Sequence, residues 1–269
     1  MYSLFKTRLT IIQEKIMNKA TISPELPSNE KFQADYEALV NKMRDLAESD
    51  GAVFLPNIEP KKPADFIFIC MEPSIGHWAR PIGEGKKKVE AGFRNFTASM
   101  EAMIFHFCVQ QYLCKANQSY HFTDISKGAM TIKLANIART ERYRRWHELL
   151  LSEMDLVAAP NAKIFAVGKA VADYLEKSKF PRPVNRIIHY SAVSQKARAD
   201  GIRGHEDDFK RFVGSVTLAN LIEVAKRVFD SSPQMDKFRE STLKSIASGD
   251  LSKSRQKLIY IYKRAFESL

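Results

Sequence analysis

Apolar and polar positions along the chain follow two different periods. Four short runs, DFIFIC (65–70), SYHFTDI (119–125), KIFAVG (163–168) and NRIIHYS (185–191), are apolar over the length of a strand and bounded by Pro, Gly or polar clusters, so they predict buried strands. Longer stretches repeat every three to four residues. Within 31–48, Phe32, Tyr36, Leu39, Val40, Met43 and Leu46 form one helical stripe, closed by Asp50-Gly51. NFTASMEAMIFHFCVQQYL, ERYRRWHELLLSEMDLVA, KAVADYLEK and HEDDFKRFVGSVTLANLIEVAKRVF predict further helices between and after the strands. Strands alternating with helices need crossover connections. The expected fold class is therefore α/β, a three-layer α/β/α sandwich with a central, mainly parallel four-stranded sheet.

A chain of 269 residues suits one such core with additions at its ends. The pattern divides it into an N-terminal helical extension (1–62), an α/β domain (63–230) and a C-terminal basic helical extension (231–269), the last built of two short helices around a Ser-Gly-Asp turn at 248–250. The longest apolar runs fall far short of the roughly 20 residues a membrane helix needs. The opening MYSLFKTRLTIIQEKIMNKA has no apolar stretch ending in a small-residue cleavage site. Three cysteines, Cys70, Cys108 and Cys114, cannot all pair and show no metal spacing, which points to a reducing cytoplasm.

Charge adds a partner class. Forty-two Lys and Arg against 31 Asp and Glu leave a net +11, which favours a polyanion through counterion release. Three local clusters do not carry chemistry of their own. GEGKKK (83–88) has Arg80 and Lys87 where a phosphate-binding loop needs Gly and Ser or Thr, and reads as a mobile basic loop. RTERYRR (139–145) reads as the solvated face of a helix, with phosphate contact as the alternative. His205-Glu206-Asp207-Asp208 lacks metal-ligand spacing and suits a helix start, so no metal is expected.

Three of the four strands end in polar clusters: Glu72-Pro73-Ser74, Thr123-Asp124 with Lys127, and His189-Tyr190-Ser191. The remaining one ends in Gly168-Lys169, a tight turn into a helix. In a parallel sheet such ends share one edge and converge on a ligand. CMEPS resembles the first motif of the uracil-DNA glycosylase superfamily (Gly-Met/Ile-Asn-Pro-Gly/Ser), and HYSA its second (His-Pro-Ser-Ala). HFTDISK is similar to the base-reading strand of the iron-sulfur branches, and KIFAVGKAVADYL to the strand, turn and helix before the second motif. The resemblance spans about residues 63–230. The chain departs from it at Cys70, Glu72 and Tyr190, and three cysteines cannot supply the four that a cluster needs, so no cofactor is expected.

The resemblance implies a DNA glycosylase. Cleaving an N-glycosidic bond leaves positive charge on the sugar and negative charge on the base, so a water or anion is needed on one side and a donor on the other. Glu72 takes the place of the water-positioning residue, able to activate water or to stabilise the sugar cation. His189 takes that of the donor to the base, and Ser74 and Ser191 those of phosphate contacts. Asp124 faces the base; a carboxylate accepts well from an exocyclic amine, which cytosine has and uracil lacks. A modified cytosine-type base, as in phage DNA, is therefore the expected target, with antiviral defence as the role.

Trp78, Phe93 and Phe96 are candidates to sandwich the flipped base, and each equally suits a core. Val193 is a candidate wedge, with Lys127, Lys196, Arg198 and Arg203 for phosphates; the alternative is a solvated basic loop. No lysine stands in a nucleophile position, which implies a monofunctional hydrolase. It is expected to act as a monomer on DNA, away from membranes. Uracil excision in repair and a catalytically silent DNA-binding module of the same fold are the alternatives. A zinc deaminase is excluded because its His-x-Glu and Cys-x-x-Cys elements are missing.

Overall fold

The structure, a computed structural model, describes residues 29–75, 79, 82–191 and 194–269. Helix α1 (Asn29–Ser49) leads through a two-residue strand β1 (Val53–Phe54) into β2 (Ala64–Cys70). Next come α2 (Ile82–Glu90), α3 (Met100–Cys108) extended by a π turn (Val109–Leu113), β3 (Tyr120–Asp124), β4 (Gly128–Ala129) and α4 (Ile132–Asn136). The long α5 (Arg139–Val157) runs into β5 (Ala158–Val167), followed by α6 (Lys169–Lys177) and β6 (Val184–Ile187). The chain closes with α7 (Gln195–Asp200), α8 (Glu206–Phe212), α9 (Leu218–Asp230), α10 (Asp236–Ala247) and α11 (Lys253–Glu267).

Strands β3, β2, β5 and β6 form one all-parallel sheet in that order, the α/β/α architecture the apolar pattern predicts. Side chains alternate across it. Phe66, Phe68 and Cys70 join Phe165 and Val167 on one face, against α3, α9 and α11. Ile67 and Ile69 join Ile164 and Ala166 on the other, against α5, α6 and Tyr36 of α1. Both faces are covered, which is why the strands read as continuous apolar runs. Phe68 stacks on Phe165 with centroids 4.7 Å apart, at the centre of the sheet.

Two expectations change. The segment after residue 231 is not only an addition, because Leu258, Ile259, Tyr262 and Phe266 of α11 lie in the same core cluster as the strands. Their spacing puts them on one helix face, and that apolar stripe has to be covered. The GEGKKK segment is helical within α2, where Lys88 pairs with Glu84 at 2.7 Å, rather than a loop. The antiparallel pair β1–β4 was beyond periodicity, each strand being two residues long. Among the described residues no helix is long and apolar enough to cross a membrane.

Candidate active site

Register brings the polar strand ends together. Cys70 of β2 pairs with Asp124 of β3, Ile69 with Ala166 of β5, and Val167 with Ile187 of β6. Glu72, Asp124, Gly168 and His189 therefore all emerge at one edge. At a strand spacing of about 4.8 Å the whole row is on the order of 15 Å wide.

Glu72 is held on both oxygens. Arg139 donates to Oε1 at 2.7 Å, Tyr143 donates a short hydrogen bond to Oε2, and the Arg142 guanidinium lies 3.9 Å from Oε2. The Glu72 side chain is only 5% exposed, so these partners, rather than solvent, compensate its charge. Burial and the adjacent Glu72 carboxylate push the Tyr143 phenol well above its ordinary value, which keeps it a donor. The grip comes from the first turn of α5, where positions 139, 142 and 143 share one face. The RTERYRR segment is thus not wholly a solvated face: Arg142 and Tyr143 are buried.

Asp124 is sealed at 2% exposure, and Asn95 donates to its Oδ2 at 2.6 Å. Burial raises its pKa to about 8. Glu72 and Glu153 push the same way, while Lys127 and the Asn95 hydrogen bond push against it. At neutral pH the side chain is mostly a carboxylic acid, with one O–H to donate and one carbonyl to accept. This changes the expected reading of the base, which assumed an ionised acceptor.

Lys127 does not face DNA. It is 2% exposed and its Nζ donates to Glu153 Oε2 and Thr123 Oγ1 at 2.6 Å each, and to the Asp124 carbonyl at 3.3 Å. His121 Nε2 and Thr123 Oγ1 complete the surroundings of Glu153, at 3.1 and 2.8 Å. Lys127 is thus an internal counter-ion that ties α5 to the end of β3, because a lone Glu153 could not stay charged there.

His189 projects from the end of β6 over Gly168. Gly168 has φ +98°, and a Cβ on it would stand 3.3 Å from the His189 Cβ, so both backbone angle and close approach require glycine. The backbone N–H of Ser191 donates to His189 Nδ1 at 3.0 Å. The ring proton of the neutral imidazole therefore sits on Nε2. Burial, then the nearby Arg198 guanidinium, lowers the His189 pKa to about 4, so it is neutral at pH 7. The ring stacks on Tyr190 at 4.8 Å, and Tyr190 stacks on Phe105 at 5.4 Å, anchoring the turn to the core.

Arg198 supports this turn instead of binding phosphate. It is 2% exposed and donates to the carbonyls of Tyr190 and Ser191 at 2.6 and 2.8 Å, and to Ser194 and Ser254 hydroxyls at 3.1 Å each. It thereby ties the His189 turn to α11.

The remaining expected residues divide. Ser74 is half-buried beside Met130, and Ser191 is half-buried at the site. Lys196 and Arg203 are exposed, Arg203 pairing with Asp200 at 3.0 Å. Phe96 is buried near the site, tilted against Tyr190 at 6.1 Å. Phe93 belongs elsewhere: it is buried with Val53, Leu55 and Ile75 and meets Phe238 edge-on at 5.2 Å, a packing role. Trp78 and Val193 lie outside the described residues.

Sequence reasoning missed Asn95, Arg139, Tyr143 and Glu153. Arg139 and Tyr143 carried a signal in their one-turn spacing. Glu153 also carried one, because it interrupts the apolar stripe of Trp146, Leu150, Met154 and Val157. Comparison with protein-family models, with curated proteins and with solved structures finds no match for this chain.

Proposed function

We propose that the chain is a monofunctional DNA glycosylase, which flips a base into the strand-end site and hydrolyses its N-glycosidic bond to leave an abasic site. The observation that carries the reading is a neutral His189 whose Nε2–H meets no acceptor among the described residues, on the same sheet edge as the buried carboxylate of Glu72. The departing base collects negative charge, and a preorganised N–H donor lowers that cost without a solvent rearrangement. The sugar collects positive charge, which Glu72 stabilises. Both Glu72 oxygens already accept hydrogen bonds, which favours this charge role over removal of a proton from water. The resemblance of CMEPS, HFTDISK and HYSA to the uracil-DNA glycosylase superfamily supports the same roles.

Asp124 bears on the base. As an acid it presents a donor and an acceptor side by side, which suits the N3 and N4 edge of cytosine and equally the O4 and N3 edge of uracil. As a carboxylate it still accepts from cytosine N4–H or uracil N3–H, but it can no longer donate to cytosine N3 or uracil O4. Our reading remains a modified cytosine-type base, removed in defence against phage whose DNA carries it, with uracil repair as the rival substrate. The net charge of +11 supports DNA as the partner.

A panel of DNAs containing uracil, 5-substituted cytosines or glucosylated hydroxymethylcytosine is incubated with the protein and with its Glu72→Gln and His189→Ala variants, and abasic sites are read by alkaline cleavage. Cleavage of one substrate, lost in both variants, is the expected outcome. The closed grip of Arg139 and Tyr143 on Glu72 favours one second reading, a silent DNA-binding module; salt-sensitive binding without release of any base would establish it instead.

A further inference from the structure

Strand β3 forms one edge of the sheet, and a cavity of about 360 Å³ runs along it, closed by the 58–62 segment, α3 and α9. The proposed glycosylase site meets it only at Asn95 and Phe96, and Glu72, Asp124 and His189 do not line it. The cavity touches Phe122, on the α3 face, and also His121, which points to Glu153 on the α5 side, so it lies against the strand's edge rather than on either face.

The main chain there is open. Phe66 N–H donates to Ser119 and Ile125 N–H to Cys70, so odd-numbered β3 residues pair with β2. In a parallel ladder the alternate residues, Tyr120 and Phe122, then turn their N–H and C=O groups outward. Among the described residues no hydrogen bond is made to the main chain of either. Phe122 is only 5% exposed, and buried main-chain groups without partners are rare.

A C=O on one residue and an N–H two residues on present an acceptor and a donor in one plane. Their complement is a planar edge with a donor beside an acceptor, as nucleobases carry. The rings of Phe96 and Phe122 and the neutral imidazole of His106, whose pKa burial lowers to about 3, give the cavity an aromatic lining. Its mouth carries Lys61, Lys62 and Arg227 against the single acid Glu59. Among the described residues Lys62 Nζ donates to the Asn117 carbonyl at 3.3 Å and Arg227 Nε to Gln110 at 3.0 Å, and both side chains carry further N–H groups for an anion.

We propose that this cavity is a nucleotide-binding site, with the base against the outer edge of β3 and the phosphate among Lys61, Lys62 and Arg227. An extended peptide also matches an open edge, but a pocket of this volume is in the range of small-molecule sites. The inference is independent of the glycosylase reading.

The test is calorimetric titration of the full chain with adenosine and cytidine 5′-monophosphates, with ribose 5-phosphate and inorganic phosphate as controls. We expect one saturable site for at least one nucleotide, with the base-free controls weaker by about tenfold or more. The double variant Lys61→Glu/Arg227→Glu, changed only at the mouth, weakens binding by at least about tenfold with an unchanged melting temperature. His189→Ala binds as the parent does. Because main-chain groups cannot be substituted, amide exchange supplies the second readout: the Phe122 N–H slows when nucleotide is bound. Lack of saturable binding, equal binding of ribose 5-phosphate, or binding lost in His189→Ala and kept in the double variant would each overturn the proposal.

Discussion

Asp124 and Glu153 are two carboxyl groups sealed in the same neighbourhood, and they sit at opposite ends of the protonation scale. Burial pushes both upward. For Glu153 it is outweighed by Lys127 and His121, which hold the group at about 2. Asp124 has an amide donor, Asn95, and Lys127 acts on its carboxyl group through space while hydrogen-bonding its backbone carbonyl, so burial wins and it rises to about 8. The fold thus keeps a fixed anion inside the core and a titratable acid at the strand end by placing one ammonium group nearer to one than to the other. The first arrangement serves architecture; the second leaves at the strand end a group whose hydrogen-bonding pattern changes with its protonation.

Removing that ammonium is the hardest test of the contrast. Lys127→Met leaves Glu153 buried with a histidine and a hydroxyl, and we expect a loss of about 3–5 kcal/mol in denaturant unfolding at pH 7. In the parent, Glu153 has a folded pKa of about 2 against an ordinary 4.5, so its contribution is present above pH 4.5 and lost as pH falls through 2. In the variant that acid-side loss disappears.

Asp124→Asn keeps the Asn95 hydrogen bond and removes the titration. Asp124 binds its proton more tightly in the folded chain, so its contribution is complete below about 3.8 and lost as pH rises through about 8. The variant should therefore gain stability relative to the parent as pH rises, by about 5 kcal/mol at pH 9, with little gain near pH 4. Equal melting temperatures at pH 5 and pH 9 for parent and variant would break the comparison.

Smaller effects follow at the other end of the site. Arg198→Met strips donors from the Tyr190 and Ser191 carbonyls and should cost about 1–3 kcal/mol, with His189 losing its fixed orientation. The readout that separates positioning from packing is the pH profile of base release, which should move with His189 while substrate binding stays unchanged. Arg203→Ala, at an exposed pair with Asp200, should leave melting temperature unchanged and lower only salt-sensitive DNA affinity.

The strands were legible because they are buried on both faces and so stand out as apolar runs. The convergence of Glu72, Asp124 and His189 was legible from the same strands, since parallel order fixes which ends share an edge. What escaped was docking. Periodicity shows that Leu258, Ile259, Tyr262 and Phe266 line one face of α11, yet says nothing of which surface that face meets. The same holds for Lys127 and Arg198, where a charged residue in a basic chain reads as a phosphate contact until its partners, Glu153 and the Tyr190 carbonyl, are seen. Asn95 carried no pattern, because its role depends wholly on a partner 29 residues away.

The most direct measurement is single-turnover base release from pH 6 to 9.5, comparing cytosine-type and uracil-containing DNA in the parent and in Asp124→Asn. We expect abasic sites from a cytosine-type base, with release by the parent falling as Asp124 ionises near pH 8 and loses its donor, and no such fall in Asp124→Asn. Release of no base by the parent at any pH, or the same fall with pH in parent and variant, would contradict a glycosylase that reads its base through Asp124.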